Sequence, residues 1–152
     1  MAITIVLADD HGAHREHLRS KLAQEPDMTV VAQAEDGQEA VRIVQDLARQ
    51  NRAPDLVIMD ITMPNLNGVE ATRQILSSHP LVKVLALSIH DARQFVEAMV
   101  QAGASGYVRK DDPFADLTRG IRAVAGDQSY FSPGLNLPGS DSGPSTDPGA
   151  ES

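Results

Sequence analysis

No cysteine occurs among the 152 residues. Disulfides, thiolate metal sites and cysteine nucleophiles are therefore excluded, and the composition fits a reducing compartment. Long apolar runs are missing too. None approaches the roughly 20 residues that a membrane span requires, so no membrane partner is expected. The N-terminal "MAITIVLADD" carries neither a basic leader nor a cleavage site, so a signal peptide is not expected and the cytoplasm is the expected compartment. Basic charge is also scarce: 13 Lys and Arg face 21 Asp and Glu, for a net charge of -8. A chain so acidic is a poor candidate for holding a phosphate backbone by itself.

What remains is an ordinary globular composition, 41% hydrophobic and 22% charged, long enough for one domain with a core. Five short apolar runs rich in β-branched residues read as strands: "ITIVLA" (3–8), "MTVVAQA" (28–34), "DLVIM" (55–59), "KVLALS" (83–88) and "GYVRK" (106–110). Segments of helical period lie between and after them, at 12–24, 38–49, 68–78, 91–101 and 113–125. The clearest is the stripe Ala40, Ile43, Val44, Leu47 and Ala48. Asp112-Pro113 reads as an N-cap with proline in the first turn, Gly126 as a helix stop, and Gly68 as a turn before the third helix. Alternating strands and helices call for an α/β fold, a parallel five-stranded sheet covered by helices on both faces.

The composition then changes. "SPGLNLPGSDSGPSTDPGAES" is 13 of 21 Ser, Pro or Gly, with three acids and no base. Such a segment cannot bury a core. Residues 1–130 are therefore expected to form the domain, and 131–152 a disordered tail or linker.

Chemistry gathers at the strand ends. The first strand ends in Asp9-Asp10, the third in Asp60, the fourth in Ser88 and the fifth in Lys110. Ligands of doubly wound sheets sit at the carboxyl ends of strands, beside the point where strand order reverses. With the order 2-1-3-4-5, strands one and three are neighbours and Asp9, Asp10 and Asp60 converge. Three carboxylates in one place must hold protons or a cation. Hard oxygen ligands without His or Cys suit Mg²⁺. A cation, the Lys110 ammonium and the Ser88 hydroxyl around one carboxylate are what a phosphoryl group needs. The carboxylate of Asp60 can then act as a nucleophile and form an acyl phosphate.

These stretches resemble the receiver domain of two-component response regulators. The likeness lies in "VLADDHG" (6–12), "VVAQAEDGQEAV" (30–41), "PDLVIMDITMPNLNGVEATRQI" (54–75), "VKVLALSIHD" (82–91) and "AGASGYVRKD" (102–111). The wording is similar to the NarL/FixJ-type (LuxR-family) branch. The resemblance implies a flavodoxin-like (βα)5 fold with Asp60 as phosphoacceptor. Asp10 would be a direct Mg²⁺ ligand, Asp9 a ligand acting through water, and the Thr62 backbone carbonyl the third protein ligand. Ser88 would be the switch hydroxyl, Lys110 the phosphate-pairing lysine, and Tyr107 the aromatic whose rotamer follows Ser88. It implies a sensor histidine kinase as donor and switching of the face made by the fourth helix, fifth strand and fifth helix. A homodimer would form through that face or through the first and fifth helices. No other enzyme activity is expected beyond self-phosphorylation and autodephosphorylation.

Three departures stand out. Asp111 follows the lysine where many receivers have a cis-proline, and the bulky Ile89 follows Ser88 where a small residue is common. The Ser/Pro/Gly tail also stands where NarL/FixJ-type regulators continue into a DNA-binding helix-turn-helix, so DNA contact is expected only through an output domain not present in this chain. Two other readings compete. One is an interaction domain that ignores phosphorylation. The other is an aspartate-nucleophile phosphatase, which would want a second acid two positions after Asp60, where Thr62 stands. His11, His14 and His17 spread over about a third of a helix circumference and read as a solvated face rather than a transition-metal site.

Overall fold

The computed structural model describes residues 2–90 and 92–135. Its elements alternate: β1 (Ile3–Ala8), α1 (Gly12–Leu22), β2 (Met28–Ala34), α2 (Gly37–Arg49), β3 (Leu56–Met59), α3 (Gly68–Ser78), β4 (Lys83–Ser88), α4 (Arg93–Ala102), β5 (Gly106–Arg109), α5 (Phe114–Ala125) and β6 (Tyr130–Phe131). All strand pairs are parallel, in the order β2-β1-β3-β4-β5-β6. The expected order of the first five strands holds, and β1 and β3 are neighbours.

Period-two alternation divides the core. Val6, Ala8, Val57, Met59, Val84, Ala86 and Tyr107 project to one face, where they meet Ala40 and Val44 of α2, Ala71 and Ile75 of α3, and Val96 and Met99 of α4. Ile5, Leu7, Leu56, Ile58, Leu85, Leu87 and Val108 project to the other, against Leu18 and Leu22 of α1 and Leu117, Ile121 and Val124 of α5. Both faces are covered, so the central strands read as continuous apolar runs rather than as alternating ones.

Side chains cap two helices. The Asp36 carboxylate accepts from the Glu39 N–H at 2.8 Å at the start of α2, and the Asn67 side chain accepts from the Glu70 N–H at 2.9 Å at the start of α3. The expected Asp112 cap is not made. Pro113 itself occupies the N-cap position of α5, and Asp112 Oδ1 instead lies 3.3 Å from Arg109 Nε. Gly126 does stand at the C-terminal end of α5.

The sheet gains a sixth strand. Tyr130 and Phe131 pair with Gly106 and Tyr107, and Ser132 and Leu135 are buried. Part of the segment expected to be a tail is thus packed on the domain; residues 136–152 lie outside the described residues. A two-residue strand has no periodicity to read, and Ser and Pro on its C-terminal side resemble linker. Among the described residues no helix is long and apolar enough to cross a membrane.

Candidate functional site

The sheet's hydrogen bonding runs one residue past the strands and so fixes the site. Asp60 N–H donates to the Ala8 carbonyl at 3.0 Å, Asp9 N–H to Ala34 at 3.1 Å, and Lys110 N–H to Ser88 at 2.9 Å. Pleat parity therefore continues. Asp9, Asp60 and Lys110 fall in phase with Leu7, Ile58 and Val108, on the α1/α5 side. Ser88 and Tyr107 fall in phase with Ala86 on the α4 side.

The first group forms a charge cluster. Lys110 Nζ lies 3.2 Å from Asp9 Oδ2 and 3.3 Å from Asp60 Oδ2. Asp9 and Asp60 are buried, at 5% and 7% exposure. Burial acts against ionising either carboxyl, but their neighbours differ. At Asp9, the His11 N–H at 2.8 Å, His14 and Lys110 together overcome burial and hold the carboxyl below its usual range. At Asp60, burial and the adjacent Asp9 outweigh Lys110 and push the carboxyl up.

Asp10 is exposed at the rim, and one carboxylate oxygen from each of Asp9, Asp10 and Asp60 lies within 4.8 Å of the others. Oxygens bound at ~2.1 Å to one octahedral Mg²⁺ stand ~3 Å apart, or ~4.2 Å when opposite. The three carboxylates fit such an ion with small side-chain rotations, and the donor set is all oxygen. An open cleft joins Asp10, Asp60, Thr62, Ile89 and Lys110. Ile89 lines it with 75% of its surface exposed.

Glycine permits the close approach behind Asp60. The Gly68 N–H donates to Ile61 at 2.7 Å, and a Cβ at position 68 would come 1.9 Å from the Asp60 carbonyl oxygen. Gly68 is thus needed for space; the left-handed turn residue of this loop is Asn65, at φ 66°.

On the α4 side, the buried Ser88 hydroxyl accepts from the His90 N–H at 3.0 Å. Tyr107, fully buried, donates its hydroxyl to the His90 carbonyl at 2.7 Å. The His90 ring lies with Nε2 3.1 Å from Thr62 Oγ1 and stacks on Phe95 at 4.2 Å.

Sequence reasoning missed two histidines here. His14 is not merely part of a solvated face: its Nδ1 lies 2.7 Å from Asp9 Oδ2. The signal was available, since His14 is four and five residues beyond Asp10 and Asp9 at the start of a helix. His90 acts mainly through its backbone, which residue type does not reveal.

The family model of the response regulator receiver domain matches residues 5–122. The chain belongs to this family. The receiver is 44% identical over 131 residues to the transcriptional regulatory protein DegU of Brevibacillus brevis, covering 86% of this chain and 53% of that protein. It superimposes on a LuxR-family two-component response regulator from Aurantimonas sp. SI85-9A1 with a TM-score of 0.81 and 35% identity, over 88% of this chain and 91% of that one. For the signal receiver domain of the putative response regulator NarL from Mycobacterium tuberculosis, the TM-score is 0.77 and the identity 26%, over 84% and 98%. These relatives put the receiver in the NarL/FixJ-type branch. It spans about half the length of the curated relatives it matches.

Proposed function

We propose that this receiver accepts a phosphoryl group on Asp60 from a phosphohistidine of a sensor histidine kinase. The observation that carries the reading is the Lys110 ammonium between Asp9 and Asp60 at 3.2 and 3.3 Å. It holds a fixed positive charge where a phosphoryl oxygen would arrive. Asp60 Oδ attacks phosphorus as the P–N bond breaks; the departing imidazole takes its proton from solvent. Water later cleaves the acyl phosphate and restores the carboxylate.

Asp10 directly, Asp9 through water and the Thr62 carbonyl would hold Mg²⁺ together with Asp60. When bound, the ion neutralises charge on the phosphoryl oxygens. Lys110 pairs with a phosphoryl oxygen, and Ser88 turns its hydroxyl toward the phosphate. Tyr107 follows Ser88, because its hydroxyl is tied to the same loop at His90. That movement reshapes the face made by α4, β5 and α5; homodimerisation would use that face or, alternatively, α1 and α5. The relatives' names support transcription control as the output of a longer protein, with DNA bound by a domain outside this chain.

Intact mass after incubation with Mg²⁺ and a small acyl phosphate donor tests the reading. One hydroxylamine-labile phosphoryl adduct is expected, absent from Asp60→Asn. No adduct on the wild-type chain would leave an interaction domain that ignores phosphorylation.

A further inference from the structure

Resting on that reading, we propose that residues 130–135 form a strap whose docking on β5 is coupled to the Ser88–Tyr107 switch, so that the switch loosens the strap.

Tyr107 is held at both ends. Its side-chain hydroxyl donates to the His90 carbonyl at 2.7 Å. Its own carbonyl accepts the Ser132 N–H at 2.9 Å. The strap is built onto the residues around it. The Tyr130 N–H donates to the Ser105 carbonyl at 3.1 Å, the Arg109 N–H to Ser132 Oγ at 3.2 Å, and Arg109 Nη2 to the Pro133 carbonyl at 2.9 Å.

Apolar burial completes the docking. Leu135 is buried in the same cluster as Tyr107, with Phe131 packed against it. Tyr130 covers α5 where Gly120 leaves room; a Cβ there would come 2.9 Å from the Tyr130 ring. The six-residue strap therefore lies on β5 next to α5, at the edge of the sheet among the described residues.

The coupling follows from what Ser88 must give up. In the arrangement seen, its hydroxyl accepts from the His90 N–H at 3.0 Å. Turning toward a phosphate on Asp60 breaks that bond and frees the loop that carries the acceptor of Tyr107. A Tyr107 ring that shifts disturbs the packed cluster that Leu135 shares and the carbonyl that holds Ser132. A strap of so few residues, docked at a sheet edge, belongs to the low-stability end of the structure and opens first.

Residue-resolved amide exchange on the full chain, with and without beryllofluoride and Mg²⁺, tests the proposal, with adduct formation followed independently by fluorine NMR. Exchange at Tyr130 and Ser132 should accelerate about tenfold on adduct formation, with Ile58 unchanged. Adduct formation with unchanged exchange at those two amides would overturn the strap and leave the receiver reading standing. Absence of the adduct would overturn both. Coupling is reciprocal, so Leu135→Ser, which weakens docking at the domain surface, should tighten apparent beryllofluoride affinity several-fold. Unchanged or weaker affinity in that variant would refute the coupling.

Discussion

Lys110 Nζ lies 3.3 Å from Asp60 Oδ2, although 50 residues separate the two in the chain. The contact joins the ends of β3 and β5 across β4, and the same ammonium reaches Asp9 at 3.2 Å. One cation thus serves two buried carboxylates.

Replacing it should therefore disable the chemistry more than the fold. Lys110→Gln is expected to slow Asp60 labelling by a small acyl phosphate roughly 10- to 100-fold, the scale of a lost charge-stabilising donor. Labelling rates at saturating Mg²⁺ measure this. A rate within twofold of wild type would remove Lys110 from the reaction.

Asp60 itself should cost stability. Its carboxyl is pushed up by burial and by Asp9 against the pull of Lys110. A carboxyl raised on folding stabilises below its unfolded value of about 3.9, and that contribution is lost as pH rises through the folded value. Asp60→Asn should then melt roughly 2–5 °C above wild type at pH 7 in chelator, with the gap closing toward pH 4. Melting curves across that range decide it; an Asn variant less stable at pH 7 would contradict the argument.

The opposite sign applies to Asp9. Its carboxyl is held below the usual range despite burial, by the His11 N–H, His14 and Lys110. The stability it contributes is present above about pH 3.9 and is lost as pH falls through the folded value. His14→Ala should cost about 1 kcal/mol at pH 7, and the penalty should shrink as pH falls below about 3.9. Urea unfolding at pH 7 and pH 3 measures both; an equal penalty at both values would assign His14 a packing role instead.

Gly68→Ala puts a methyl group where the Asp60 carbonyl oxygen stands, 1.9 Å away. Backbone must move on both sides, and a loss of about 3 kcal/mol is expected. Denaturant midpoints test this. A variant within 0.5 kcal/mol, on the scale of an ordinary surface change, would show that the loop has slack.

The strand–helix alternation was legible because each long element repeats its pattern over several turns or pleats. The stripe at Ala40, Val44 and Leu47 and the runs at 3–8 and 83–88 report local burial directly. The convergence of Asp60, Asp9 and Lys110 was legible because strand ends in a parallel sheet share one edge. Strand β6 was not, since pairing of Tyr130 and Phe131 with Gly106 and Tyr107 is a long-range relation that two residues cannot encode as a period. His90 escaped notice for another reason: its N–H and carbonyl make the key bonds, and every residue has those.

The sequence alone determined the (βα)5 order, the two-sided burial of the central strands and the acids at their ends, because periodicity and residue type are local properties. Only the tertiary structure decided that Asp9 and Asp60 share Lys110, that His14 returns to Asp9, that Tyr107 and Ser88 meet at His90, and that Tyr130 and Phe131 add an edge strand to the sheet. Those relations depend on register and on which face each pleat presents, and both are set when distant segments pack together.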